Sequence, residues 1–408
     1  MAVIVQKFGG SSVADPERIR HVADLAIREQ QRGNQIVVVV SAMGKTTDGL
    51  LALAQQITSS PDPREIDMLI STGEQVTIAM LAIAIQSKGG KAISFTGPQV
   101  GILTDNSHRK AKIVRINDEK IRRELEAGRI VIVAGFQGMT AENEVTTLGR
   151  GGSDTTAVAL AAVLKADVCD IYTDVDGVYT ADPRIVKNPR KLERISYDEM
   201  LELASLGAKV LHSRSVEFAK NYNVPIHVRS SFEDVPGTMV VKEAKEMEDI
   251  VVSGVAYNRN EAKVSLIGVP DRPGVAADFF GKLGTANICV DMIIQNVGES
   301  GHNDISFTVS KEDLDEALKV AEAAAKELGA KEVRHDREIA KVSVVGVGMK
   351  SHSGVAATMF RALAKNGINI DMISTSEIKI SCVIRESDVD KAVQSIHEEF
   401  ELEEAAQA

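Results

Sequence analysis

The chain has 408 residues, with 47 Lys and Arg against 58 Asp and Glu, a formal net charge of −11. That balance argues against a nucleic-acid backbone or an anionic membrane as the main partner, and no uninterrupted apolar run approaches the ~20 residues of a membrane span. Cys169, Cys289 and Cys382 are too few and too scattered for a disulfide framework or a cysteine-rich zinc site, which points to a reduced, cytoplasmic protein of two or three domains.

The opening MAVIVQKFGG places its first charge after the apolar stretch, the reverse of a signal peptide. Val3 to Gln6 and Gln35 to Val40 are continuous apolar runs of the kind that parallel sheets bury on both faces. Between them, Asp15-Pro16 reads as an N-cap and a first-turn proline. Ile19, Val22, Ala23, Ala26 and Ile27 share one helical face, and Gly33 is the stop. Further strands are expected at Lys91 to Phe95, Arg129 to Gly135, Val168 to Thr173 and Ile226 to Arg229. Helices are expected at Asp62 to Ser87, Asp154 to Leu164, Tyr197 to Leu206 and Arg214 to Tyr222. This alternation predicts an α/β domain, a mainly parallel sheet sandwiched by helices, over residues 1–245.

A charged stretch leads into a linker at 246–262, and the remainder repeats itself. Gly274-Val275-Ala276-Ala277 returns as Gly354-Val355-Ala356-Ala357, and Asp291-Met292-Ile293 as Asp371-Met372-Ile373. Phe280, Leu283 and Ile288 match Phe360, Leu363 and Ile368 in the same register. Each copy opens on a strand, Lys263 to Gly268 or Lys341 to Gly346, so a duplicated small α/β module is expected at 263–340 and 341–408.

Four segments carry candidate chemistry. Lys7-Phe8-Gly9-Gly10-Ser11-Ser12 follows the first strand and precedes the first helix, where backbone N–H groups and the helix dipole suit an anion. Ser41-Ala42-Met43-Gly44-Lys45-Thr46-Thr47 looks like a P-loop but has Val39 where the first glycine belongs. Gly149-Arg150-Gly151-Gly152-Ser153-Asp154 offers a planar cation for a carboxylate, with Ser153 or Asp154 expected to cap the next helix. It lacks the third glycine of a dinucleotide fingerprint. Thr173-Asp174-Val175-Asp176-Gly177-Val178 has a calcium-loop look spoiled by Val178, and is better read as a nucleotide loop. Glu74, in Thr72-Gly73-Glu74-Gln75, is a lone acid whose role the sequence leaves open.

In this order KFGGSS, SAMG, STGEQ, FTGPQVGI, VAGFQG, TTLGRGGSDTTA, YTDVDGVYTADPR, GAKVLH and STSEIKIS resemble the aspartokinases of the amino acid kinase family over essentially the whole chain. The resemblance implies the amino acid kinase fold followed by two ferredoxin-like βαββαβ ACT modules. It implies transfer of the ATP γ-phosphoryl group to the β-carboxylate of L-aspartate, with Mg2+ carried by the nucleotide and no dedicated metal site. By the family pattern Lys7 holds the transferring group, and Gly9, Gly10 and Ser11 donate to phosphate. Asp154 orients Lys7, Arg150 clamps the α-carboxylate and Glu74 meets the amino group, while Ser41, Thr47 and Ser153 complete the substrate pocket. Thr173, Asp174, Tyr179, Asp182, Arg184 and Lys209 line the nucleotide, Lys209 also counting as catalytic. Asp271, Gly274, Ala276, Asp291 and Gln295 in the first module are similar to a threonine-binding pattern. Thr375-Ser376-Glu377 in the second is similar to one that contacts lysine, with Asn369 and Ile370 as further effector residues, so inhibition by the two amino acids in concert is expected. A homo-oligomer, or an α2β2 assembly whose small subunit starts at Met247, is the expected partnership. Departures are Arg109 in His108-Arg109-Lys110, Ser213 after His212, and Cys289 in place of asparagine. The alternatives are a catalytically decayed amino-acid sensor and another amino acid kinase; intact Lys7, Arg150, Asp154 and Lys209 argue against decay.

Overall fold

The structure, a computed structural model, describes residues 1–207, 210–242, 251–297, 301–350 and 352–403. The uninterrupted valine and isoleucine runs become β1 (Val3–Phe8) and β2 (Gln35–Val40), paired in parallel at the centre of a sheet. Around them lie β3 (Ala92–Phe95), β4 (Ile130–Ala134), β5 (Val168–Thr173), β6 (Arg194–Ser196), β7 (Ile226–Ser230) and β8 (Thr238–Val241). The order is β6-β8-β7-β5-β1-β2-β4-β3, and every neighbouring pair is parallel except β7 with β8. Strands without polar alternation demand cover on both faces.

The helices supply that cover: α1 (Pro16–Gln31), α2 (Thr46–Ile57), α3 (Pro63–Ile70), α4 (Thr72–Ser87), α5 (Glu119–Glu126), α6 (Gly152–Leu164), α7 (Tyr197–Ser205) and α8 (Ser213–Tyr222). Asp15 accepts the Arg18 N–H and so caps α1, as its position before Pro16 predicts. Ile19, Val22, Ala23 and Ala26 of α1 pack with Leu81 and Ile85 of α4 onto β1, β2 and β4. The expected helix from 62 to 87 is two segments meeting at Ser71, and together Pro63–Ser87 is long and apolar enough to cross a membrane. That is a correction to the sequence reading, which missed it because polar residues interrupt the run. More than half of its most apolar window is buried inside the protein, so its apolarity serves the core.

Sequence patterning missed α2, α5 and a small sheet of Ile102–Thr104, Ile113–Ile116, Gln137–Met139 and Val145–Thr147. Strands of three or four residues are too short to show a period.

Two units can be distinguished, and the division is not the one at residue 245 alone. The second unit takes Tyr179–Arg190 and Leu206–Ala208 in addition to 246–408. Its long strands are β9 (Gly254–Pro270) and β12 (Glu332–Val345), joined by α9 (Val275–Thr285), β10 (Ile293–Val297), β11 (His302–Val309) and α10 (Leu314–Leu328). Then come α11 (Val355–Lys365), β13 (Met372–Thr375), β14 (Lys379–Arg385) and α12 (Val389–Glu399), and the sheet runs β10-β11-β9-β12-β14-β13. The first copy is complete within β9 to β12. The second borrows its outer strand, because Gly254–Asn258 pairs antiparallel with Val345–Lys341. Part of the stretch read as a linker at 246–262 is therefore strand. Its charged surroundings hid a short buried run, Gly254-Val255-Ala256.

Candidate active site

The carboxyl ends of parallel strands open the crevice in which such sheets bind ligands, and here β1 and β2 deliver Lys7 and Ser41 to it. Lys7 Nζ lies 2.6 Å from Asp154 Oδ1, each side chain only 12% exposed. Asp154 stands in the first turn of α6. The sequence reading made Asp154 or Ser153 the cap of this helix, and that is corrected: the N-cap is Gly151, with no side-chain cap. Both side chains are thereby free to face the strands, and Ser41 Oγ donates to Ser153 Oγ at 3.0 Å.

Gly9 and Gly10 lead into a 3-10 turn, Gly10–Val13, rather than directly into α1. A Cβ on Gly10 would stand 2.9 Å from the Ala42 carbonyl oxygen and 3.0 Å from that of Gly44. Glycine thus allows the KFGGSS and SAMG loops to touch, and Gly44 N–H donates to the Gly10 carbonyl. Ser11 is exposed, and its carbonyl accepts from Arg18. Thr47 sits half-buried at the start of α2.

Glu74 enters from the first turn of α4 and is 2% exposed. Gly73 lets the helix approach, since a Cβ there would meet the Ala42 Cβ at 2.8 Å. Oε1 accepts the Ala42 N–H at 3.2 Å, while buried Oε2 has no partner. Burial pushes the carboxyl up to about 7, opposed only in part by backbone hydrogen bonds. A buried carboxylate with an empty oxygen is an incomplete ion pair, and a cationic ligand would complete it.

Arg150 is exposed on the turn between Gly149 and Gly151, both at positive φ. Three residues that the sequence reading missed hold this turn. His212 lies against it, so that a Cβ on Gly151 would be 2.2 Å from its Cγ. Its Nδ1 is buried without a partner, and burial lowers its pKa. Arg214 donates to the carbonyls of Leu148 (2.9 Å) and Ala111 (2.7 Å). Asp67, fully buried, accepts from Thr147 Oγ1 at 2.5 Å and from the Arg109 N–H at 3.0 Å, with His108 Nδ1 2.9 Å away. No local signal marks these side chains, because each partner is distant in sequence.

Thr173 ends β5, and its hydroxyl donates to Asp174. Tyr179, Asp182 and Arg184 belong to the second unit, in which Asp182 forms a forked pair with Arg184 and accepts from the Tyr257 hydroxyl at 3.0 Å. Those bonds hold the Asp182 carboxyl below the usual range, the Arg184 fork first among them. Lys209 and Met247 lie outside the described residues. Among the described residues, no three His, Cys, Asp or Glu are grouped to hold a metal.

In the first module Asp271, Gly274, Ala276 and Gln295 are brought together around a cavity of about 340 Å³ that Arg272 and Asn303 also line. Asn303 Nδ2 donates to Asp271 at 2.9 Å. Asp291 is instead ion-paired with Lys341. In the second module Asn369, Ser376 and Glu377 are exposed, and Ile370 packs partly buried against that module's core.

The profile of the amino acid kinase family matches residues 2–230, and that of an ACT domain matches 264–324 and 342–400. A protein of Pseudomonas putida called aspartate kinase is 56% identical over 407 residues, covering all of this chain and 99% of its own length. Among solved structures, E. coli aspartokinase III in complex with aspartate and ADP superposes with a TM-score of 0.83 at 26% identity, over 97% of this chain and 99% of that one. The same enzyme in complex with lysine and aspartate gives 0.74 at 26% identity, over 98% and 99%. The chain belongs to the amino acid kinase family, among its aspartate kinases with a tandem pair of ACT domains.

Proposed function

We propose that the protein transfers the γ-phosphoryl group of ATP to the β-carboxylate of L-aspartate, giving 4-phospho-L-aspartate and ADP at the head of lysine, threonine and methionine synthesis in the cytoplasm. The observation that best supports this is the presence together, at the carboxyl ends of the central strands, of the Lys7–Asp154 ion pair and a buried, half-satisfied Glu74. An α-amino acid needs one anion for its ammonium and one cation for its carboxylate, and Glu74 and Arg150 supply them.

The nucleophile is ionised at pH 7, with a reference pKa of ~3.9, so proton removal is not the barrier. One β-carboxylate oxygen bonds to the γ-phosphorus as the bond to the bridging oxygen breaks, and the electron pair leaves with ADP. The difficulty is to bring an anion to a polyanion, which positioning and positive charge overcome. Lys7 meets the transferring group and Asp154 keeps Nζ aimed. Gly9, Gly10 and Ser11 donate to phosphate oxygens, and Ser41, Thr47 and Ser153 hold the substrate. Thr173, Asp174, Tyr179, Asp182, Arg184 and Lys209 attend the nucleotide. Mg2+ carried by the triphosphate would offset its charge, with phosphate and water oxygens as its ligands.

The cavity beside Asp271, Arg272 and the N-terminus of α9 suits a zwitterion. We assign it to threonine and the Asn369 to Glu377 region to lysine, acting in concert on an oligomer, either of identical chains or α2β2 with a subunit started at Met247. L-aspartate-dependent ADP formation with Mg-ATP, alone and with lysine, threonine and both, tests the whole reading. Folded protein that binds ATP yet forms no ADP with aspartate would overturn the catalytic part. Equal inhibition by either amino acid and by the pair would overturn the concerted part.

A further inference from the structure

The two ACT copies meet along β9 and β12, each of which runs through both modules. At the join the pairing register breaks on either side of Glu261. Around this break the repeat generates matched pairs. Lys263 and Lys341 stand at equivalent places within β9 and β12, and Asp291 and Asp371 close equivalent loops ahead of β10 and β13. Each lysine reaches the aspartate of the other copy: Lys341 is ion-paired with Asp291, and Lys263 Nζ lies 3.1 Å from Asp371. Met292 and Met372, again equivalent, pack beside them with Ile339 and Val383.

The exchange is not symmetric in burial. The Lys341 side chain is 4% exposed, against 23% for Lys263. Glu261, paired in register with apolar Ile339, adds a third acid 3.2 Å from Lys341 Nζ, and its Oε2 has no partner. A buried ammonium cannot lose its partner without a large penalty. Asp291 stands four residues before Gln295, which lines the first module's cavity. Any shift of β10 on filling that cavity therefore moves the carboxylate on which the second module's first strand depends.

We propose that Lys341 and Lys263 are positioning residues that couple the two modules, each holding the aspartate at the foot of the other copy's effector strand, so that occupancy of one effector site is felt at the other. This rests on the reading that both modules take amino-acid effectors. It also gives Asp291 a different task from ligand contact.

The test is calorimetric titration of the full-length protein with lysine, with and without saturating threonine, for the wild type, Lys341→Met and Lys263→Met, with aspartate-dependent activity measured in parallel. In the wild type, threonine tightens lysine binding about tenfold, within the usual range of allosteric coupling. In each variant that factor falls to within about twofold of unity, while lysine and threonine still bind singly and uninhibited turnover is unchanged. A loss of thermal stability alone would not produce that pattern. Should Lys341→Met fail to fold, Lys263→Met, at the more exposed pair, decides the matter. A folded variant that keeps the wild-type factor overturns the proposal and leaves the effector reading standing. A wild type that binds neither amino acid overturns the effector reading, and the proposal with it; one that binds both with no coupling overturns the proposal and leaves the effector reading standing.

Discussion

Replacing Glu74 by glutamine should make the protein more stable at alkaline pH while damaging it as an enzyme. Burial raises this carboxyl from 4.5 to about 7, so the folded chain holds the proton more tightly than the unfolded chain does. The sign follows directly: the burial cost is fully present above pH 7 and is relieved as pH falls through 7 toward 4.5. The full cost of the ionised group is on the order of 3 kcal/mol. Between pH 5.5 and 8.5 the part of it that changes is about 2 kcal/mol. Glutamine has the same shape and carries none of this pH dependence. Its amide can keep the Ala42 N–H bond, and any penalty for the unpartnered NH2 is the same at both pH values and cancels. Urea unfolding followed by circular dichroism, the chain having no tryptophan, should show Glu74→Gln gaining about 2 kcal/mol on the wild type between pH 5.5 and 8.5. Its KM for aspartate should rise at least tenfold or so, because an amide does not pair with an ammonium. In the wild type the same KM should climb as pH drops below 7, where free Glu74 is protonated. If Glu74→Gln gains nothing between the two pH values, the buried carboxylate is not the strained group described here and its assignment to the substrate ammonium loses its physical basis.

Lys7→Met should lower kcat about a hundredfold or more, with a modest loss of thermal stability because Asp154 keeps its burial and loses its partner; unchanged steady-state turnover would contradict the role given to Lys7. Arg150→Lys should raise KM for aspartate about tenfold and leave KM for ATP alone, since an ammonium cannot grip a carboxylate with two parallel bonds; equal changes in both constants would point to a disordered turn instead. Gly151→Ala places a methyl group into the His212 ring at a positive φ. It should cost upward of about 1 kcal/mol in urea unfolding and most of the activity, and Gly151→Ala with full activity would mean that His212 does not hold the turn.

What the sequence discloses and what it conceals divide along a physical line. Lys7, Ser153 and Asp154 stand where a strand end or a helix start fixes them locally, within two residues of a glycine, and that placement can be read from the sequence; Glu74 reads there as a lone acid and enters only through the family resemblance. The parallel strands were legible because burial on both faces removes polar alternation. Asp67, His212 and Arg214 were not, since each works through a main-chain group or a turn that lies far along the chain. In sequence they look like ordinary surface charge.

The same reasoning explains why a strand lies unread in the stretch taken as a linker at 246–262. Repeats identify what each copy contains, but Gly254–Asn258 completes the second copy from a position ahead of the first, so no repeat points to it. A strand donated backwards along the chain ties the two copies into one sheet, and the crossed ion pairs of Lys263 and Lys341 fall at the point where that donation occurs. Two modules that had merely been duplicated and strung together would have no need of either. With that one strand donated the two copies share a continuous sheet, and under the coupling proposed above a shift in one copy's strands is transmitted to the other.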